Sequence, residues 1–137
     1  MKALTQAIYA KKSGSDFDTD ISGRLYKAQA PDDTDFPYAV YMIPTGYKEK
    51  TFSEEYNYPT VQFTLVSNQS SSSEVEDMYT HLIALYDECS LSITGSTLVW
   101  MRESNYVGAQ REEHTTPTGS QWVWVIHSDF SVLTSLD

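Results

Sequence analysis

Scarcity of three features excludes several classes of function. The single cysteine, Cys89, excludes an internal disulfide and a multi-cysteine zinc site. Only 9 lysines and arginines stand against 19 aspartates and glutamates, for a net charge of −10. Tight binding to nucleic-acid phosphates or to anionic membranes needs clustered cations, so we expect neither. No apolar run approaches a membrane span, and residues 1–14 are too short and polar for a signal peptide, which predicts synthesis in a cytoplasm.

The composition that remains is that of one folded domain. The chain has 137 residues, of which 40% are hydrophobic and 13% aromatic. This length can bury a sizeable core, and these proportions are globular rather than disordered. No internal repeat or linker divides the sequence, so we predict a single domain over residues 1–137.

The first half of the chain predicts one helix and one strand. Apolar residues at helical spacing predict a short helix over residues 2–12. Residues 14–36 are predicted as a loop, which contains an acidic stretch, then Pro31 and an acidic turn over residues 32–35. The sequence PYAVYMI from Pro37 predicts a strand, and residues 44–57 predict a polar connection or a long hairpin arm.

The second half predicts strands around a stronger helix. Val61, Phe63 and Leu65 alternate with polar residues, which predicts a half-buried strand over 60–66. Ser73 and Glu76 predict a capping box that opens a helix. Its apolar stripe at three- and four-residue steps comprises Val75, Met78, Tyr79, Leu82, Ile83, Tyr86 and Cys89. Strands are predicted at 97–103 and 121–133, separated by a polar, turn-rich loop over 104–120. The predicted class is α+β, a mostly antiparallel sheet with two helices packed on one face.

The acidic stretch SDFDTDISGRLY raises the question of calcium binding, because Asp16, Asp18 and Asp20 alternate as in an EF-hand loop. Counting from Asp16, that loop needs glycine at its sixth position and glutamate at its twelfth. Ile21 and Lys27 occupy those positions. We therefore predict a solvated acidic loop and no metal site; calcium binding is kept only as a distant alternative.

Enzyme chemistry has no positive support in the sequence. There is no phosphate-binding glycine loop, nucleophile elbow or HExxH motif. His81, His114 and His127 are far apart, and His81 is expected at the surface of its helix. Catalytic triads need no sequence proximity, so a small hydrolase with a hidden Ser/His/Asp site stays open as a third hypothesis. We predict no catalytic residue and no cofactor.

Three segments, in order along the chain, resemble the tail terminator or tail completion proteins of long-tailed bacteriophages and prophages. The first is GRLYKAQAPDDTDFPYAVYMIPTG, in which a glycine, a Leu-Tyr step, an Ala-Pro and a Pro-Tyr precede a hydrophobic strand. This match implies that SDFDTDISGRLY connects the first helix to the first strand, with Gly23 providing a turn. The second is VQFTLVSNQSSSSEVEDMYTHLIALYDE. The third is CSLSITGSTLVWMRE together with the closing EEHTTPTGSQWVWVIHSDFSVLT.

This resemblance implies a virion protein that forms a ring, usually of six copies, on the finished tail tube. Such a ring ends tube polymerisation, offers a surface to the head connector, and lets DNA pass without specific binding. The implied partners are further copies of the chain, the tail tube protein and the head connector. A head-closure or connector adaptor of the phage neck is the alternative.

The predicted loops 44–57 and 104–120 are the candidates for contacts with neighbouring subunits or the tube, because long polar loops often carry function and exposed tyrosines are enriched at interfaces. The candidate residues are Tyr47, Lys48, Lys50, Phe52 and Tyr56 in the first segment, and Tyr106, Gln110, Arg111 and His114 in the second.

Overall fold

A computed structural model describes residues 2–137, which form three helices and one five-stranded sheet. The elements are α1 (Lys2–Lys11), α2 (Asp16–Ile21), β1 (Leu25–Lys27), β2 (Tyr38–Lys50), β3 (Glu55–Ser67), α3 (Ser73–Tyr86), β4 (Ser96–Thr116) and β5 (Gly119–Leu136). The strand order is β1-β2-β3-β5-β4; β1 lies parallel to β2, and all other neighbours are antiparallel. The predicted α+β class is confirmed, although the number of helices is three rather than two.

One face of the sheet carries the main core, against which all three helices pack. The alternation predicted for β3 is confirmed, since Val61, Phe63 and Leu65 are all fully buried on this face. Phe63 stacks on Tyr86 of α3 at 5.0 Å and meets Phe130 of β5 edge-on at 5.6 Å. Fully burying a side chain of this size stabilises a fold by about 1.5–3 kcal/mol, so this aromatic cluster holds α3 on the sheet.

The acidic stretch is a helix, so the prediction of a loop over residues 14–36 is wrong there. Ser15 caps α2 by accepting a hydrogen bond from the Asp18 N–H at 3.1 Å. Carboxylates in the first turn suit the positive end of the helix dipole. Phe17 and Ile21 are fully buried, so the apolar residues between the aspartates anchor this short helix to the core. The predicted turn at Gly23 is confirmed by its φ of +75°.

The ends of α3 differ from the prediction. Ser72, not Ser73, is the N-cap residue, and its side chain makes no capping hydrogen bond, so the predicted capping box is wrong. Glu74 instead accepts a hydrogen bond from the buried Ser67 hydroxyl at 2.7 Å. The helix ends at Tyr86, so Cys89, which was predicted on the helical stripe, lies beyond the helix, where burial raises the pKa of its thiol.

Two long hairpins replace the two predicted loops. For residues 44–57 the hairpin alternative is confirmed, because β2 runs to Lys50 and β3 starts at Glu55. The loop predicted over 104–120 is wrong, because β4 runs to Thr116 and turns directly into β5. Polar residues form strand here because β5 supplies backbone partners along the whole length, including Val107 opposite His127 and His114 opposite Gln121.

The opposite face of the sheet is only partly covered. A second cluster of buried residues on this face contains Tyr38, Val66, Val123 and Val125, with Phe36 and Ala30 of the β1–β2 connection packed against it. The Arg24 guanidinium holds that connection by donating to the carbonyl oxygens of Phe36 and Pro37 at 3.1 and 3.0 Å.

Candidate interaction surfaces

The tip of the β2–β3 hairpin presents an aromatic surface. Tyr47 is 62% exposed and stacks on Tyr58 of the neighbouring strand, with ring centroids 4.5 Å apart. Phe52, in the turn, is completely exposed. The Tyr58 hydroxyl donates to Glu49 at 3.2 Å; desolvation and then the Glu49 charge raise the pKa of Tyr58. The Tyr58 hydroxyl therefore stays neutral, and the stacked pair offers a rigid apolar surface to a partner.

The remaining first-segment candidates lie at the same tip. Lys48 and Lys50 are exposed on β2, and Tyr56 is half-buried on β3 with its hydroxyl donating to Glu54. The structure therefore brings these candidates together on strands flanking a tight turn, rather than on the loop proposed as one alternative.

The second-segment candidates are spread along β4. Tyr106 is 59% exposed, and its ring lies 5.6 Å from that of Tyr79 on α3. The Arg111 guanidinium lies 5.5 Å from the Trp124 ring centroid, and Gln110 is exposed. A strand places alternate side chains on opposite faces, so these residues do not share one surface.

Beyond the end of β3, the β4–β5 hairpin projects as an arm, which we define as residues 112–123. The last β3–β5 pair is Ser67 with Trp124, so the arm strands have only each other as sheet neighbours. On one face of the arm, His114 packs edge-on against Phe36 at 5.6 Å. On the other face, Trp122 is 55% exposed beside its cross-strand partner Glu113. The loop around Phe36 therefore braces the arm and leaves the tryptophan free.

The first hairpin tip and the arm lie at opposite ends of the sheet. At the first tip, Tyr56 is opposite Ser135 near the end of β5. The arm begins past Trp124, close to the start of the same strand. The molecule thus presents two separate projecting surfaces, one at each end of its strands.

A groove between α1 and β1 is a surface that the sequence reasoning missed. Its volume is about 430 Å³, and it is lined by Lys2, Thr5, Gln6, Tyr9, Leu25, Tyr26, Lys27 and Tyr41. Lys2 and Lys27 are exposed, and the lining contains no carboxylate. The available signal was the concentration of basic residues in residues 2–27, which hold five of the nine lysines and arginines.

The aspartates considered for calcium serve the helices instead. Lys12 donates to Asp18 at 2.9 Å, and Asp20 forms an ion pair with His81, which is half-buried rather than free at the surface. That hydrogen bond raises the pKa of His81, although partial burial opposes the shift. Within residues 2–137, no three His, Cys, Asp or Glu side chains are arranged to hold a metal.

The histidines also show no assembled triad. His127 Nδ1 is 3.1 Å from the Thr64 hydroxyl, while His81 bonds to Asp20. In the part of the chain that the structure describes, no histidine joins a serine and a carboxylate by hydrogen bonds, and no helix is long and apolar enough to cross a membrane.

Comparison with known proteins identifies the fold. No protein-family model and no curated protein matches the sequence. A chain in the virion of a native gene transfer agent (GTA) particle matches with a TM-score of 0.81 and 12% identity, over 98% of this chain and 96% of that one. A second solved structure, of a protein with no stated function, matches with a TM-score of 0.53 and 16% identity, over 96% and 94% of the two chains. The chain therefore shares its fold with a chain in the virion of a gene transfer agent particle.

Proposed function

We propose that this chain is a structural, non-enzymatic protein of a phage-type virion, which caps the completed tail tube as a ring of six copies and joins the tube to the head. The observation that carries the proposal is the fold shared with a gene transfer agent virion protein along nearly the full length of both chains. The collinear sequence segments that resemble tail terminators point to the end of the tube rather than to another part of the particle.

The separation of the two projecting surfaces supports a joining role. A protein between a tail tube and a head connector needs a different contact at each end. The first hairpin tip offers Tyr47, Phe52 and two lysines, while the turn of the arm exposes Pro117 and Thr118 at the other end. Exposed aromatic side chains of this kind are typical anchors of protein interfaces.

The charge of the chain supports passage of DNA without capture. With 19 acidic and 9 basic residues, a ring of copies repels phosphates on average. Specific retention of DNA would need a cluster of cations along the passage.

The experiment that tests this function is light scattering of the purified chain, alone and with the cognate tail tube protein. A species of about 93 kDa, six times the 15.5 kDa chain, or a ring that forms only on the tube, is the expected result. Electron microscopy of tubes polymerised with the chain should show capped ends and shorter tubes.

Other outcomes would redirect the proposal. A chain that ignores the tube and binds the head connector would be a head-closure adaptor. A chain that binds neither, and loses a hydrolytic activity when one serine is changed, would overturn a structural role.

A further inference from the structure

The groove between α1 and β1 and the projecting arm lie on opposite lateral sides of the same sheet. The groove lies along β1, the first strand in the sheet order, and the arm contains the end of β4, the last. Four strand spacings separate these edges by about 19 Å. Within one chain, moreover, His114 of the arm packs against Phe36 of the β1–β2 connection, on the face of the sheet opposite the helices. This contact holds the arm away from the groove of its own chain, whereas two neighbouring copies can meet through the two surfaces.

The two surfaces also face the same side of the sheet. Trp124 packs against the main core beneath the helices, and alternation puts Trp122, two residues earlier, on that same side. Glu113 is the cross-strand partner of Trp122 and shares its face. The groove is formed by α1, on the helix side of the sheet, together with Leu25 and Lys27 of β1.

Their chemistry is complementary. The groove offers the exposed ring of Tyr9, with the buried Leu25 and Tyr41 at its base and Lys2 and Lys27 as its cations. The arm offers the exposed indole of Trp122 beside the carboxylate of Glu113. Both lysines lack a salt bridge within residues 2–137, as does Glu113. An aromatic anchor in a pocket with opposite charges at the rim is a typical arrangement of a specific interface.

We infer that the arm of one copy docks into the α1–β1 groove of the next, with Trp122 entering the groove and Glu113 facing Lys27 and Lys2. The occupant is a second copy of this chain. Two different patches meet in this contact, so it is heterologous and propagates around a closed ring. The inference rests on the proposed function for the ring, but the pairwise contact can be tested without the tube.

The test uses two variants that each retain one half of the contact. The groove variant is Lys2→Glu/Lys27→Glu, and the arm variant is Trp122→Ser/Glu113→Lys. These side chains are exposed, so both variants should keep the wild-type circular dichroism spectrum. Each alone should self-associate at least about tenfold more weakly than wild type, because like charges then meet or the anchor is missing.

Mixing the two variants gives the discriminating result. The intact arm of the groove variant can enter the intact groove of the arm variant, but the product cannot extend. Light scattering of the mixture should therefore show a 1:1 heterodimer and no ring. Lys11→Glu/Arg102→Glu changes the net charge equally, outside the groove, the arm and the first hairpin tip, and should assemble as wild type does. The exposed Arg102–Glu88 ion pair that it removes contributes little to stability.

The outcomes separate this inference from the proposed function. A wild-type ring that neither variant weakens would overturn docking of the arm while leaving the tail-terminator role intact. A heterodimer from the mixed variants, with no binding of wild type to the tail tube, would support docking and overturn the terminator role. A chain that remains monomeric in concentrated solution and on the tube would overturn both.

Discussion

The hydroxyl of Tyr86 should stabilise the fold far more than that of Tyr41, although both donate to carbonyls of α1. Tyr86 is fully buried and its hydroxyl donates to the Ile8 carbonyl oxygen at 2.7 Å. Tyr41 is 4% exposed and donates to the Thr5 carbonyl oxygen at 3.2 Å. Burial raises the pKa of both phenols, so each remains a neutral donor at any ordinary pH.

The difference comes from the position of each acceptor in the helix. α1 ends at Lys11, and the next N–H, that of Lys12, bonds to the Tyr9 carbonyl. The Ile8 carbonyl is therefore one of the last-turn acceptors that a helix leaves without a regular partner. Thr5 lies in the helix interior, where the N–H four residues later is the regular partner of its carbonyl.

Removing each hydroxyl by substitution with phenylalanine should therefore have unequal costs. Tyr86→Phe leaves a fully buried carbonyl unpaired, which costs about 2 kcal/mol, within the range of about 1–3 kcal/mol for such groups. Tyr41→Phe removes a second, longer bond from a carbonyl that keeps its helical partner, and should cost less than about 1 kcal/mol. The ring stacking on Phe63 is retained in both variants.

The assay is urea denaturation followed by far-UV circular dichroism, at concentrations where wild type and both variants have the same oligomeric state. Tyr47→Phe, at an exposed position, is the control and should fall within about 0.5 kcal/mol of wild type. Equal losses for Tyr86→Phe and Tyr41→Phe, or a greater loss for Tyr41→Phe, would refute the helix-end argument.

Three further predictions follow from named contacts. Gly46→Ala should destabilise the fold by about 1 kcal/mol or more in urea denaturation, because the added Cβ would lie 3.0 Å from the backbone of the neighbouring strand. Gly108→Ala is the control and should not destabilise the fold, because its added Cβ would have no atom within 4 Å. His81→Gln should be less stable than wild type below pH 6.5, by less than about 1 kcal/mol, because it loses the ion pair with Asp20. The difference in the free energy of unfolding should fade as the pH rises through the raised pKa of His81. A difference that grows at high pH in denaturation curves would contradict the ion pair. Phe52→Ala should leave the urea midpoint unchanged but weaken binding to the tail tube or head connector, because Phe52 is completely exposed. As a contrast, Phe130→Ala removes a fully buried ring and should lower the free energy of unfolding by about 3–5 kcal/mol. If Phe52→Ala binds both partners as wild type does, Phe52 is not part of the interface.

The local periodicity of apolar residues in the sequence determined the helices and strands that bury one regularly spaced apolar face. The alternation of Val61, Phe63 and Leu65 predicted a strand, and the stripe from Val75 to Tyr86 predicted the helix that covers it. Both patterns can be seen in consecutive residues alone, without knowledge of which distant residues pack against them. From these two patterns and the closing aromatic strand, the α+β class followed. The aromatic and basic candidates near residue 50 were also visible as a group, since they are neighbours along the chain.

Tertiary structure decided the segments whose local pattern is polar. Residues 16–21 are helical because Phe17 and Ile21 enter a core assembled elsewhere, and His81, sixty-one residues away, pairs with Asp20. Residues 104–116 are strand because β5 satisfies their backbone groups, not because of any alternation of their own. The groove and the arm lie on opposite edges because strand order separates them. Sequence determined which faces are apolar; pairing between distant residues determined which edges and tips remain available to partners.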